Sequence, residues 1–399
     1  MSTLLRLRGQ ANSSRVGMIE LFFDLVFVFA VTQLSHTLLK DLSLDGLLRV
    51  TLLFIAVWWV WSTTTWVTNW LDPERLPIRT ALLALMLLGL VLSVSIPEAF
   101  GERGHSFTAA YVSMQVGRTL FFLWAVRNEV ERHRRNFQRI LAWLASAGVL
   151  WIVGGFAEGN ERFAWWALAM FIEFVAPWVF FWVPGLGRST TMDWDVDGGH
   201  MAERYALFVI IALGESILVT GATFAELAWT AAAALAAVSA VIGTILMWWI
   251  YFDTGAERAQ HRIAHSSDPG RQARGAYTYM HAVIVAGIIG CAVADEVVLM
   301  HPDHGTTAGL VAILGGPFLY LIGTALFKWT TNDRKGPPLS HLIGMALLAA
   351  LAWPTFSHAI SPLAAGVSTT AALAVVAVWE SVAIRRASPR AHSEETGTS

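Results

Sequence analysis

The chain alternates long apolar runs with short polar joints. Within the runs the apolar residues are continuous rather than alternating with a period of two, so they predict helices and not strands. About 20 mostly apolar residues are needed for a helix to cross a ~30 Å hydrocarbon core, and in lipid only a helix or a closed barrel satisfies its own backbone. Twelve such runs are present, at about 17–39, 47–70, 79–97, 106–127, 138–157, 163–183, 202–222, 228–252, 275–298, 306–328, 341–360 and 363–384. Only Ser361 and Pro362 separate the last two, and Pro354 is expected to kink the eleventh. Arg6, Arg8 and Arg15 before the first run resemble the start of a signal peptide. That run is too long for one, contains Glu20 and Asp24, and is followed by no convincing cleavage site, so it is expected to be a retained span.

Composition narrows the class further. Of 399 residues, 55% are hydrophobic and only 14% are charged, against roughly 25% charged in a soluble domain. Too few charges exist to cover soluble domains, and the hydrophobicity excludes disorder. A net charge of −2 with no dominant basic patch excludes nucleic acid as a partner. The single cysteine, Cys291, excludes a disulfide framework and a cysteine metal cluster. The fold class expected is therefore an all-α polytopic membrane protein with the lipid bilayer as its partner. If the N-terminus is cytoplasmic, Lys40, Arg49, Arg103 and Arg162 fall outside and Arg118 falls within a span, leaving 22 of the 27 basic residues inside. The bias favours both termini on the cytoplasmic side.

The chain also carries an internal repeat. Glu20-Leu-Phe-Phe-Asp24 in the first span is matched by Glu203-Arg-Tyr-Ala-Leu in the seventh. Trp58-Trp59-Val60-Trp61 in the second is matched by Trp248-Trp249-Ile250-Tyr251 in the eighth. Six spans per half is an even number, so both halves enter the membrane in the same direction, as two parallel six-helix repeats. The boundaries expected are 1–183 and 202–386, with a cytoplasmic linker at 184–201 and a disordered tail at 387–399. Asp193, Asp195 and Asp197 in the linker lack the later bidentate glutamate of a calcium loop, so a solvated linker is the better reading.

A charge within the bilayer is expensive and needs a partner or a function. Asp24 lies inside span one, with Glu20 one turn earlier on the same face and Gln33 and His36 further along. Arg118 lies mid-span in the fourth helix, three residues after Gln115; Glu173 is in the sixth and Glu215 in the seventh. Arg118 reads as the only fully embedded cation, against at least three carboxylates. The excess acid must be protonated, meet water or bind a cation. That pattern favours a polar cavity binding a small solute, proton or cation over a buried ion pair that only fixes packing. Trp58, Trp59, Trp61, Trp66 and Trp70 are expected to pack helices, and Asn69 to cap the exit of span two. No catalytic signature such as G-x-S-x-G, H-E-x-x-H or a Walker loop is present, and no cofactor or metal is expected. The alternatives are an intramembrane enzyme or lipid-modifying protein using His36 or His281 with the same carboxylates, and a non-transporting structural or regulatory protein. A homo-oligomer stays open.

The stretch Glu20-Leu-Phe-Phe-Asp-Leu-Val-Phe-Val-Phe-Ala-Val-Thr-Gln-Leu-Ser-His resembles the opening of the bacterial low temperature requirement protein A family. The segments from Trp58 to Pro73 and from Arg204 through Gly214-Glu215-Ser216 agree with it. The resemblance covers about residues 9 to 385. It implies a multi-pass protein of the bacterial cytoplasmic (inner) membrane, tied by name to growth in the cold, and it supplies no mechanism.

Overall fold

The computed structural model describes residues 4–6, 15–128, 131–253, 260, 262–263, 269–331 and 336–395. Among these residues the regular structure is helical, apart from isolated antiparallel bridges of Leu5 with Leu71 and Val183 with Gly187. Each expected apolar run finds a helix. They are α1 Met18–Lys40, α2 Leu44–Trp70, α3 Leu76–Ser95, α4 Gly104–Ala125, α5 Glu131–Phe156 and α6 Gly159–Val175. Then come α7 Gly198–Glu226, α8 Ala231–Tyr251, α9 Gly270–Met300, α10 Thr307–Thr331, α11 Leu339–Phe356 and α12 Pro362–Glu395. Among the described residues, ten are long and apolar enough to cross a membrane. The others are α4, diluted by Gln115, Arg118 and the polar groups of its first turns, and α6, whose 17 residues rise only about 25 Å.

Local chemistry sets several ends. The Ser43 hydroxyl accepts from Gly46 N at 3.0 Å and starts α2; the Thr230 hydroxyl accepts from Ala233 N at 3.1 Å and starts α8. Pro77 occupies the first turn of α3, where its missing N–H costs nothing. The sixth span, expected to reach residue 183, stops at Val175. Pro177 has no N–H to continue the helical ladder, and Phe180 and Phe181 then turn the chain with φ of 55° and 46°. The fifth helix starts at Glu131, before its expected boundary of 138, because its first turns are amphipathic rather than apolar. The last helix continues to Glu395, and residues 396–399 of the expected tail lie outside the described residues.

The chain divides into two compact units, Met1–Arg204 with Ala264–Ala273, and Tyr205–Ile263 with Arg274–Ser399. In the first, α1 packs on α2 and α3, α3 on α4, α4 on α5, and α5 on α6, while α2 touches α4 and α6. Its core is aromatic: Trp58, Trp61, Trp151 and Trp166 are all fully buried. In the second, α9 and α10 approach backbone to backbone. A Cβ on Gly287 would lie 2.4 Å from Tyr320 N, and one on Gly316 would lie 2.5 Å from the Gly290 carbonyl carbon. Around that pair, α8, α11 and α12 pack on one another or on α10.

Candidate functional site

The polar interior of the first unit is built around one stretch of α2. Residues 60 and 64 lie a turn apart on one face of that helix, and residues 61 and 65 lie on the next face round. The first face meets α4. Arg118 is 4% exposed; its Nη1 donates to the Val60 carbonyl at 3.2 Å and to Thr64 Oγ1 at 2.9 Å, and its Nη2 donates to Gln115 Oε1 at 2.5 Å. Gln115 then relays to α6, donating from Nε2 to Glu173 Oε2 at 2.8 Å. Tyr111 Oη donates to the same oxygen at 2.9 Å, and Trp151 Nε1 donates to Glu173 Oε1 at 2.9 Å. Arg118, Gln115 and Glu173 therefore meet, as the sequence suggested. Among the described residues Glu173 is held by three neutral donors and by no cation directly.

The second face meets α1 and the start of α7. Trp61 Nε1 and Arg204 Nη2 each donate to Asp24 Oδ1 at 2.8 Å, and Arg204 Nη2 lies 3.4 Å from Thr65 Oγ1. One turn earlier, Glu20 accepts from Arg6 Nη2 at 2.6 Å and from Gly17 N at 2.8 Å, and its Oε1 lies 3.1 Å from His200 Nε2. Glu20 with His200 and Asp24 with Arg204 step along both helices in the same direction, so the first turns of α7 run parallel to α1. Asn69 does not cap α2: its side chain holds His200 Nδ1 at 3.1 Å and both backbone groups of Asp197, at 2.8 and 2.9 Å. Trp70 Nε1 donates to the Asp195 carbonyl at 2.6 Å, so this part of the linker is packed on the end of α2. The charges of Asp24, Arg204 and Glu20 are all taken from water, with 0% exposure each.

These contacts correct the charge inventory. Arg118 is not the only embedded cation, because Arg204, counted with the cytoplasmic flank, is wholly buried and neutralises Asp24. Glu20 is likewise buried and paired with Arg6. The acid excess read from the sequence is thereby removed in this unit: Glu20, Asp24 and Glu173 are accompanied by Arg6, Arg204 and Arg118. Of the site candidates, Gln33 and His36 do not join either cluster among the described residues. Gln33 is half-buried and His36 is exposed on the far part of α1. Glu215 is buried in α7 within the second unit. His281 is also buried there, but it bonds the Tyr251 hydroxyl at 2.7 Å and the Ala276 carbonyl at 3.0 Å rather than a carboxylate. The carbonyl can only accept, so Nδ1 carries the hydrogen and Nε2 accepts from the tyrosine. Among the described residues His200 and His341 reach carboxylates, and the sequence singled out neither.

The second unit contains a related device. Lys328 Nζ on α10 donates to the Ile250 carbonyl on α8 at 2.8 Å, as Arg118 on α4 donates to Val60 on α2. Val60 and Ile250 each follow a Trp-Trp pair, Trp58-Trp59 and Trp248-Trp249. Here the cation is closed directly onto Glu380 of α12, whose Oε1 also accepts from Ser340 Oγ at 3.1 Å and lies 3.3 Å from His341 Nδ1. In the first unit Gln115 stands between cation and carboxylate. Arg118 also forms part of the wall of a cavity of about 250 Å³ between α2, α3 and α4, and its Nε has no partner among the described residues.

The description "Bacterial low temperature requirement A protein (LtrA)" matches residues 15–378. A protein of Rhizobium meliloti (strain 1021), titled Uncharacterized protein RA0937, is 42% identical over 384 residues, covering 95% of this chain and 92% of that protein. No solved structure matches the chain. With the helices, the buried Glu20–Asp24 face and a match over most of its length in place, the chain belongs to the bacterial low temperature requirement A protein (LtrA) family.

Proposed function

We propose that the protein moves a small solute across the bacterial cytoplasmic membrane, with Arg118 as the cation that receives it. The observation that carries this reading is the buried Arg118 guanidinium on the wall of a roughly 250 Å³ cavity, with Nε unpartnered among the described residues. A buried polar group without a partner costs about 1–3 kcal/mol, so an unpartnered, enclosed donor on a side chain that lines a cavity favours a bound molecule there. Glu173, Asp24 and Glu215 are the carboxylates proposed to take up a coupled proton or cation, and Glu173 is favoured because neutral groups hold it. Among the described residues the titratable groups around it are Tyr111 and Arg118, both from α4; α2 contributes Thr63, Thr64 and the Val60 carbonyl to this network, and α5 contributes Trp151. The twin contacts of Arg118 with Val60 and Lys328 with Ile250 support two parallel six-helix repeats, and the bias of basic residues supports both termini on the cytoplasmic side. In that scheme the second copy has closed its cation with Glu380, and the first leaves Arg118 Nε without a partner among the described residues.

A second reading has its own support. The Asp24–Arg204 and Glu20–Arg6 pairs are wholly or nearly buried ion pairs of the kind that specify packing, which favours a structural part for that face of α2. Reconstituted flux separates the two. Proteoliposomes with a pH-sensitive dye in the lumen are given radiolabelled acetate, benzoate or decanoate. Glu173→Gln is expected to abolish the coupled pH change, while Asp24→Asn acts through loss of folded protein. Flux and pH change that stay at wild-type level in Glu173→Gln, Asp24→Asn and Glu215→Gln alike would sink the transport assignment.

A further inference from the structure

We infer that the cavity at Arg118 takes a monocarboxylate with an apolar tail, which reaches it sideways between α3 and α4. The inference rests on the transport reading and names its substrate class. It begins with the donors of Arg118. A guanidinium has five N–H groups. Three are used, two on Nη1 by the Val60 carbonyl and Thr64 Oγ1 and one on Nη2 by Gln115 Oε1, which leaves two: the Nε–H and one on Nη2. Two donors on a planar fork match the two oxygens of a carboxylate.

The rest of the cavity does not resemble a site for a hydrophilic anion. Beyond Arg118, Thr64, Thr68 and Ser113, its walls are apolar, with Leu82, Leu85, Leu88 and Phe121 prominent. A polar headgroup site backed by aliphatic wall suits a ligand that is charged at one end and hydrocarbon at the other. The opening points the same way. Ala84 on α3 and Ser113 and Gly117 on α4 line the cavity and are exposed, while Arg118, Thr64 and Leu82 are buried. These three small residues lie near the middle of their helices, where the surroundings of an exposed residue are hydrocarbon rather than water. A Cβ added to Gly117 would meet nothing within 4 Å, so the mouth is open at that point. An amphiphile already dissolved in the bilayer can bring its carboxylate to Arg118 through this gap, and because Nε is enclosed in the structure the guanidinium has to turn toward the cavity to meet it. Glu173 then accounts for the extra charge: Arg118 and Glu173 balance each other, so an arriving carboxylate leaves one negative charge in excess, which a proton on Glu173 removes.

The test uses the full chain in lipid nanodiscs, with empty nanodiscs as the blank, and measures equilibrium binding of radiolabelled decanoate. Decanol supplies the same tail without the charge, and acetate the same charge without the tail. Decanoate is expected to bind about tenfold or more tightly than either, the weight of one charge-assisted hydrogen bond or of a few buried methylenes. Arg118→Gln is expected to bring decanoate down to decanol. Because Arg118 also supports folding, Gly117→Phe is the second variant: it fills the open mouth, and it is expected to weaken decanoate about tenfold while the thermal midpoint is unchanged. Equal binding of acetate would indicate a water-borne anion and overturn the inference. Equal binding of decanol, or full binding in Gly117→Phe, would overturn it as well. Failure of the two readings can be told apart. Decanoate binding in this pattern without flux removes the transport reading and leaves the site; flux of another solute that decanoate does not compete removes the site and leaves transport.

Discussion

Replacing Arg204 by methionine keeps the length and apolar stem of the side chain and removes its charge. In the structure both Arg204 and Asp24 are 0% exposed, and Asp24 Oδ1 receives Arg204 Nη2 and Trp61 Nε1 at 2.8 Å each. The single change strands a buried carboxylate with one neutral donor. Breaking a buried pair in this way costs about 3–5 kcal/mol, a shift of more than a hundredfold in the folding equilibrium. The double variant Asp24→Leu with Arg204→Met strands nothing, and it is expected to be more stable than either single variant, with a coupling energy of at least about 2 kcal/mol. Asp45 and Arg49 form the internal control. They are an i,i+4 pair with side chains 57% and 31% exposed, so removing Arg49 should cost no more than about 1 kcal/mol. Unfolding in mixed micelles titrated with dodecyl sulfate and followed by tryptophan fluorescence gives all four values. With 19 tryptophans in the chain, among them Trp61 beside Asp24, the signal reports unfolding of the whole molecule. Additive single costs, or an Arg204→Met cost no larger than that of the surface pair, would refute the reasoning.

Arg162 is buried at 3% exposure and donates to the carbonyls of Ala99, Gly101 and Ala157 at 2.7–2.9 Å, tying the α3–α4 turn to the α5–α6 turn; Arg162→Gln is expected to cost at least about 1.5–3 kcal/mol and to lower the thermal midpoint in detergent. Gly315 and Gly316 are neighbours with opposite surroundings: a Cβ at Gly316 would meet Gly290 and Cys291 backbone atoms within 2.6 Å, while one at Gly315 meets nothing within 4 Å. Gly316→Ala should therefore force α9 and α10 apart and lose the monodisperse peak in size-exclusion chromatography, whereas Gly315→Ala should be neutral or stabilise by up to about 1 kcal/mol; equal behaviour of the two would contradict the packing described.

Part of the site could be read directly from the chain. Gln115 and Arg118 are three residues apart, so a helix alone brings them together, and the sequence placed Glu173 in the same polar set. His200 and Arg204 were within reach of the same reasoning. They are four residues apart and basic, and Glu20 and Asp24 are four residues apart and acidic. That pair of matched spacings was the available signal. It was obscured because Arg204 stands at the start of its apolar run, where basic residues ordinarily mark the cytoplasmic flank. Asn69 was misread for a similar reason: beside Asp72-Pro73 it has the local form of a cap, and only the packing of Asp197 and His200 on the end of α2 gives it different work.

The sequence by itself determined the helices, their number and the membrane class, because the length and apolarity of a run are local properties that survive without knowing any neighbour. The departures at α5 and α6 are local too, an amphipathic start in one and Pro177 in the other. What only the tertiary structure decided was which charges are balanced. A carboxylate's partner depends on which faces of which helices meet, and that is set by packing between residues far apart in the chain, 180 positions for Asp24 and Arg204 and 58 for Gln115 and Glu173. Run length cannot carry that information, because rotating a helix about its axis leaves its composition unchanged while exchanging every partner it has.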